Sequence, residues 1–317
     1  MSGSQIAWTE RDVPDQTGRV AVVTGASAGL GVETARVLTR NGATVVLACR
    51  DLAKTAGAAE RIRAAVPHAR LDAVRLDLAS LACVREAAGE IRSAHPRIDL
   101  LILNAGVMDV PYQRTEDGFE LTLATNHLGH FALTGLLLGA LLDTPGSRVV
   151  SVSSIAHRRG HMRFDDLQSD QSYKPGDAYA QSKLANLLFT YELDRRLRAA
   201  GAPTIALAVH PGNARTELWR TSSRLEQALL GPRLHILNGR LIQTAKAGAL
   251  PTLRAATDPS AQGSEYYGPP GRFQFTGPPT RVESNDRSHD VEAQRRLWEE
   301  SQRLTGVAYD DLERVPG

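Results

Sequence analysis

A chain of 317 residues, 42% of them apolar, carries enough hydrophobic mass for a full core and reads as one large domain or two ordinary ones. Its 37 basic and 35 acidic side chains leave a net charge of +2, which gives no footprint for a nucleic-acid partner. Two cysteines, Cys49 and Cys83, make no disulfide framework and read as buried thiols in a reducing cytoplasm.

Residues 1–17 form a polar N-terminal extension without the apolar centre of a signal peptide, and nowhere is an apolar run long enough to span a bilayer. Beyond it, strand-like runs alternate with helix-like stretches. The run at 20–23 leads into Thr24-Gly25-Ala26-Ser27-Ala28-Gly29-Leu30-Gly31 and a helix-like stretch at 32–40. Strand, glycine turn and helix in that order let a backbone come close to a pyrophosphate and seat it on the positive end of the helix. The spacing departs from Gly-x-Gly-x-x-Gly, and a plain structural turn is the alternative.

The second run, 44–49, ends at Arg50, close to where a dinucleotide site places an acid for the NAD ribose or an arginine for the extra phosphate of NADP. A guanidinium pairs with phosphate through two parallel hydrogen bonds, so NADP is preferred over NAD, a solvated strand end being the other reading. Asp51 reads as the cap of the next helix. Further runs at 71–76, 99–103, 148–152 and 204–209, with a short one near Tyr266, are followed by Asp77-Leu78, Asn104-Ala105-Gly106, Ser153-Ser154 and Pro211-Gly212. This alternation implies a parallel sheet covered on both faces, with ligands bound beyond the carboxyl ends of its strands.

Downstream lies Tyr179-Ala180-Gln181-Ser182-Lys183. If 178–198 is helical, as Leu184, Leu187, Leu188 and Tyr191 suggest, Tyr179 and Lys183 share one face one turn apart. An ammonium there favours the phenolate and lowers a pKa that starts near ~10. Alone, the pair reads as an ordinary amphipathic surface pair; with a serine upstream it reads as a proton-transfer apparatus. His127 and His130 lack a third ligand and read as packing positions rather than a metal site. His157-Arg158-Arg159-Gly160-His161 reads as solvated loop, and the stretch between Ser154 and Tyr179 either shapes a substrate mouth or covers the sheet edge. The apolar segment 217–243 packs a helix on the core or lines a cleft. A Gly/Pro-rich loop at 269–279 precedes a charged, helix-like stretch at 290–304, within a C-terminal tail spanning 271–317.

Together these motifs resemble the short-chain dehydrogenase/reductase family, from about Gly18 to about Pro270. Its glycine motif matches Gly25, Gly29 and Gly31; its Asn-Ala-Gly motif matches Asn104, Ala105 and Gly106; its catalytic quartet matches Asn126, Ser154, Tyr179 and Lys183. Its Pro-Gly turn matches Pro211 and Gly212, with Thr216 where the family often binds the nicotinamide carboxamide. Asn126-His127-Leu128-Gly129-His130 and Gly263-Ser264-Glu265-Tyr266-Tyr267-Gly268 are most similar to the retinol-dehydrogenase-like branch. Leu103 replaces an asparagine common before Asn-Ala-Gly, and Asn213-Ala214 an often apolar stretch; neither removes a catalytic group.

The resemblance implies an α/β Rossmann-type, doubly wound, seven-stranded parallel sheet of order 3-2-1-4-5-6-7, in a single domain over 18–317. It implies that Gly25, Ser27, Gly29, Leu30, Gly31, Arg50, Asp77, Leu78, Asn104, Ala105 and Gly106 hold NADP(H), with Tyr179, Lys183, Pro211, Gly212 and Thr216 at the nicotinamide. It implies hydride exchange with a small carbonyl or alcohol substrate, lipophilic by analogy with the branch. Ser154 would bond the carbonyl, Tyr179 supply the proton, Lys183 lower the tyrosine's pKa and hold the ribose, and Asn126 place a water. A catalytically silent dinucleotide sensor of the same fold is the competing function, which the intact quartet disfavours. A homo-oligomer is left open.

Overall fold

The computed structural model describes residues 7–214 and 242–314. Its strands are β1 Val20–Thr24, β2 Thr44–Cys49, β3 Arg70–Arg75, β4 Leu100–Leu103, β5 Arg148–Val152, β6 Ile205–Val209, β7 Tyr266–Gly268 and β8 Thr280–Arg281. They form one sheet in the order β3-β2-β1-β4-β5-β6-β7-β8. The expected order holds through β7, and all neighbours to that point are parallel. β8 is an addition: two residues pair antiparallel with β7, Tyr267 opposite Arg281 and Gly268 opposite Thr280. So short a strand after a Gly/Pro-rich loop carries no periodicity from which to read it.

The central strands are apolar throughout because both faces are covered, and their alternation divides one run between two cores. Val22, Leu101, Leu103 and Val149 enter one cluster; Ala21, Val23, Leu100, Ile102, Val150 and Val152 enter the other. The helices are α1 Gly29–Arg40, α2 Leu52–Ala65, α3 Leu81–Ala94, α4 Leu121–Leu123, α5 Gly129–Leu142, α6 Pro175–Ala199, α7 Ala245–Thr257 and α8 Val291–Thr305. Side chains of α1, α2 and α7 fill the second cluster, and those of α3, α5, α6 and α8 the first. Among the described residues, no helix is long and apolar enough to cross a membrane.

Both ends of the described chain are fastened to this frame. The Glu10 carboxylate bridges Arg36 and Arg40 on α1 at 2.7 and 2.9 Å, while Val13 is buried and the Gln16 N–H donates to the Asn41 carbonyl at 2.7 Å. At the other end, α8 is charged on its outer face but buries Trp298 against Phe131 and Tyr309, at ring separations of 5.2 and 4.4 Å. The Arg196 guanidinium lies 4.5 Å over the indole. Truncating so enclosed a ring costs about 3–5 kcal/mol. Trp298→Ala should therefore lower the unfolding free energy by that amount, seen as a lower urea midpoint with an unchanged slope. Trp298→Phe should cost less, because the indole N–H it removes has no partner.

Candidate active site

β1 ends at Thr24 and the chain turns at Gly25, whose φ of 67° lies in the left-handed region. A Cβ there would come within 2.8 Å of the Ala105 Cα. On Gly31, in the first turn of α1, a Cβ would stand 2.5 Å from the Gly25 carbonyl oxygen and 2.8 Å from Asn104 Nδ2. Loop, helix and the segment after β4 thus close on one another only with hydrogens at these two positions. Asp51 and Ser80 cap α2 and α3 with their side chains, Asp51 accepting from the Lys54 N–H as the sequence suggested. Ala28 cannot do so for α1, whose first turn also carries no acid. The N–H groups at the positive end of α1 therefore receive no side-chain cap.

Beyond them runs a groove along the carboxyl ends of β1 to β4. Gly25, Ser27, Gly29, Leu30, Arg50, Asp77, Leu78, Asn104, Ala105 and Gly106 all line it; Gly31 is packed behind. Arg50 is exposed at the end of β2 and makes no ion pair among the described residues. Asp77 accepts the Ala79 N–H at 3.0 Å.

The floor of the groove is a buried polar seam. The Asn126 carbonyl can only accept, so the His130 Nδ1–H donates to it at 3.1 Å, leaving Nε2 to accept the Thr24 hydroxyl at 2.9 Å. The Thr24 oxygen in turn accepts the N–H groups of Asn104 and Ala105, each at 2.9 Å. Burial holds His130 down at about 3, and therefore neutral, with the Lys183 charge a lesser influence. Asn126 sits in a π-helical turn, Ala124–Leu128, between α4 and α5. Its amide clamps Val107, accepting the N–H at 2.8 Å and donating to the carbonyl at 3.0 Å, and donates to Ser182 Oγ at 2.9 Å.

A second cavity adjoins the groove and is lined by Ser154, Tyr179, Lys183, Pro211 and Gly212, together with Met108, Asp109, Ile155, Arg158, Arg159 and Phe275. α6 does carry Tyr179 and Lys183 one turn apart, both buried. Lys183 Nζ donates to the Val152 carbonyl at 3.0 Å, and its own carbonyl accepts the Ser153 hydroxyl at 2.8 Å, so α6 is stitched to the end of β5. Ser153 and Ser154 both line the cavity, but the Ser153 hydroxyl proton is committed to this stitch. The Ser154 hydroxyl accepts the Ala156 N–H at 3.2 Å.

Burial holds Tyr179 above its usual range, with the Ser154 hydrogen bond and the Arg159 charge pulling it down and the Asp109 carboxylate pushing it up. The Lys183 ammonium lies 5.7 Å from the ring centroid and is itself lowered to about 8 by burial. The His157–His161 segment departs from a solvated loop. His157 is fully buried, donating from Nδ1 to the Ser154 carbonyl at 2.6 Å and accepting the Asn285 N–H on Nε2 at 3.3 Å, and burial lowers it to about 4. Arg158 and Arg159 remain exposed.

His127 is a packing position: its Nε2–H donates to Ser301 at 2.8 Å. Among the described residues no three His, Cys, Asp or Glu side chains gather as metal ligands. Cys49 and Cys83 are buried and free. Thr216 and residues 217–241 lie outside the described residues. The sequence assigned no place at the site to Thr24 or Phe275, and in it His157 and Arg159 read as solvated loop. A hydroxyl ending an otherwise apolar strand was a usable signal for Thr24; the others owe their places to contacts remote in sequence.

A family model described as short chain dehydrogenase matches residues 19–227. Retinol dehydrogenase 13 from Homo sapiens is 42% identical over 305 residues, covering 94% of this chain and 88% of that protein. A crystal structure of an uncharacterized protein from Mycobacterium paratuberculosis is 42% identical, with a TM-score of 0.80 over 96% of this chain and 99% of that one. L-Sorbose reductase from Gluconobacter frateurii, solved with NADPH and L-sorbose, is 19% identical with a TM-score of 0.67 over 84% of this chain and 100% of its own, and so shares the fold.

The closeness of the glycine turn to its neighbours can be measured. Gly31→Ala forces a Cβ against backbone and should destabilise the fold by about 1–3 kcal/mol in urea unfolding. Gly89→Ala, in α3 with nothing within 4 Å of the new carbon, should instead stabilise it by about 0.5–1 kcal/mol.

Proposed function

The chain belongs to the short-chain dehydrogenase/reductase family, in its retinol-dehydrogenase-like branch, and from that premise we propose that it is an NADP(H)-dependent oxidoreductase acting on a carbonyl or alcohol substrate. The observation that carries the reading is the meeting of Ser154, Tyr179 and Lys183 on one cavity that opens onto the glycine-turn groove.

The groove suits a dinucleotide by its donor set: uncapped N–H groups at the start of α1, and a bare Gly106, where a Cβ would lie 3.0 Å from Asn126 Oδ1 and 3.5 Å from Lys183 Nζ. Gly25, Ser27, Gly29 and Leu30 would hold the pyrophosphate and Asp77 and Leu78 the adenine side, with Asn104 to Gly106 as the floor and Gly31 behind them. Pro211 and Gly212 would border the nicotinamide. The unpaired Arg50 guanidinium would meet the extra ribose phosphate, which favours NADP over NAD. When bound, the cofactor supplies or accepts the hydride.

The rest is the work of this chain. In reduction, Ser154 donates a hydrogen bond to the substrate carbonyl and stabilises the negative charge that grows on its oxygen. Tyr179 hands its proton to that oxygen, giving the alcohol; a phenol kept protonated by burial is suited to the task. Lys183 holds the ribose and, charged below about pH 8, stabilises the phenolate left behind. Asn126 places a water that links the lysine to solvent. Oxidation runs these steps in reverse. The apolar cavity wall, with Met108, Ile155 and Phe275, supports a lipophilic substrate.

Tyr179→Phe keeps the ring and removes the proton. Turnover should fall by about 10²–10⁴-fold while NADPH binding by fluorescence persists; near-normal turnover would sink the assignment. Arg50→Asp should weaken NADPH far more than NADH, inverting or collapsing the selectivity, since a carboxylate repels the phosphate but accepts from a ribose hydroxyl. An unaltered preference in steady-state kinetics would leave Arg50 a bystander. With each buried methylene contributing about 0.8 kcal/mol at most, kcat/KM for straight-chain aldehydes should rise several-fold per two carbons. A flat series alongside good turnover of a small sugar would refute the lipophilic substrate alone.

A further inference from the structure

The Gly/Pro-rich loop at 269–279 holds a feature that the catalytic machinery does not use. Phe273 and Phe275 stack with ring centroids 5.7 Å apart and planes 26° apart. Phe275 lines the cavity of Ser154 and Tyr179, whereas Phe273, 64% exposed, is left at its edge with little of its ring covered. Between them Gln274 has a φ of 53°, a left-handed conformation unfavourable for any residue with a side chain. A stacked pair with one ring exposed, carried on strained backbone, must be held there by something else.

The holder is His210, buried at the end of β6 immediately before the Pro211-Gly212 turn. Its Nδ1 accepts the Gly212 N–H at 3.2 Å, which fixes the proton on Nε2. Nε2–H donates to Gln274 Oε1 at 3.0 Å. The ring is packed against Tyr266 at 5.2 Å, and burial keeps it neutral, lowered to about 3, so this tautomer persists across physiological pH. On the backbone, the Asn213 N–H donates to the Phe275 carbonyl at 2.7 Å. The aromatic loop is thereby tied, by side chain and main chain, to the turn that borders the proposed nicotinamide position.

We propose that this loop is the fixed apolar wall of the substrate cleft, with Phe275 packing on the hydrocarbon body of the substrate, Phe273 forming the lip at its mouth, and His210 positioning both through Gln274. The proposal rests on the oxidoreductase reading and names where its specificity resides. The same cavity is also lined by Asp109, Arg158 and Arg159, so it offers charged groups as well as hydrocarbon.

The test is kcat/KM for butanal, hexanal, octanal and decanal at saturating NADPH, read as a slope against chain length. Phe275→Ala should at least halve the wild-type slope, through KM rather than kcat, and Phe275→Leu should recover most of it. Gln274→Gly, which accepts the backbone angle but loses the bond to His210, should flatten the slope as well; a cooperative thermal melt checks the fold of each variant. A wild-type slope in both Phe275→Ala and Gln274→Gly would overturn the proposal. A wild type that turns over aldehydes without any slope would remove the lipophilic substrate and this wall with it, while a wild type inert toward every aldehyde would strike the oxidoreductase reading itself.

Discussion

The site depends on a hydrogen-bond chain in which the shorter of two bonds open to the Thr24 hydroxyl, 2.9 Å to His130 against 3.4 Å to the Ile102 carbonyl, leaves no buried ring nitrogen unpaired. Asn126 offers a carbonyl, His130 must donate to it, Thr24 donates in turn to His130, and the Thr24 oxygen is then free for the Asn104 and Ala105 N–H groups. Every member but Asn104 and Ala105 is at most 2% exposed, and a buried polar group left unpaired costs about 1–3 kcal/mol. The chain therefore locks three separate stretches together: the end of β1, the segment after β4 and the π-helical turn before α5. Those stretches are the glycine turn's anchor, the floor of the groove and the clamp on Val107 beside Lys183.

α6 is coupled to the same frame through β5. Lys183 and Asn186 both donate to the Val152 carbonyl, and Ser153 returns a bond to the helix backbone. Tyr179 is thereby placed without any direct bond to Lys183. Its pKa is raised by burial while that of the lysine is lowered by the same cause. One cavity thus moves the two groups apart, the phenol toward its protonated form and the ammonium toward its neutral one, with Arg159 and Asp109 as opposing influences on the phenol.

Much of this was legible in the sequence because strand ends are. An apolar run that stops at Thr24-Gly25, at Asn104 or at Ser153-Ser154 announces the carboxyl edge of a parallel sheet, and the groove residues lie on that edge. The choice of Ser154 over Ser153 came from family resemblance; the bond that commits the Ser153 hydroxyl to α6 spans thirty positions and leaves no trace in the local sequence. What was not legible depends on contacts between distant segments. His157 looked solvated beside two arginines, yet it is buried by Asn285, more than a hundred positions on. Trp298 lies in a helix whose composition reads as charged surface, and Phe275 in a loop that reads as a linker. Burial, which spacing does not report, is the largest influence on the Tyr179 phenol.

The central claim is that these groups, assembled by the sheet edge, move a hydride between NADP(H) and a carbonyl. It is tested most directly by mixing the purified protein with NADPH and a panel of aldehydes, ketones and quinones while following cofactor absorbance. The account predicts consumption of NADPH with carbonyl substrates and formation of the matching alcohols. Tight binding of NADPH with no consumption across the whole panel would contradict it and mark the protein as a dinucleotide sensor instead.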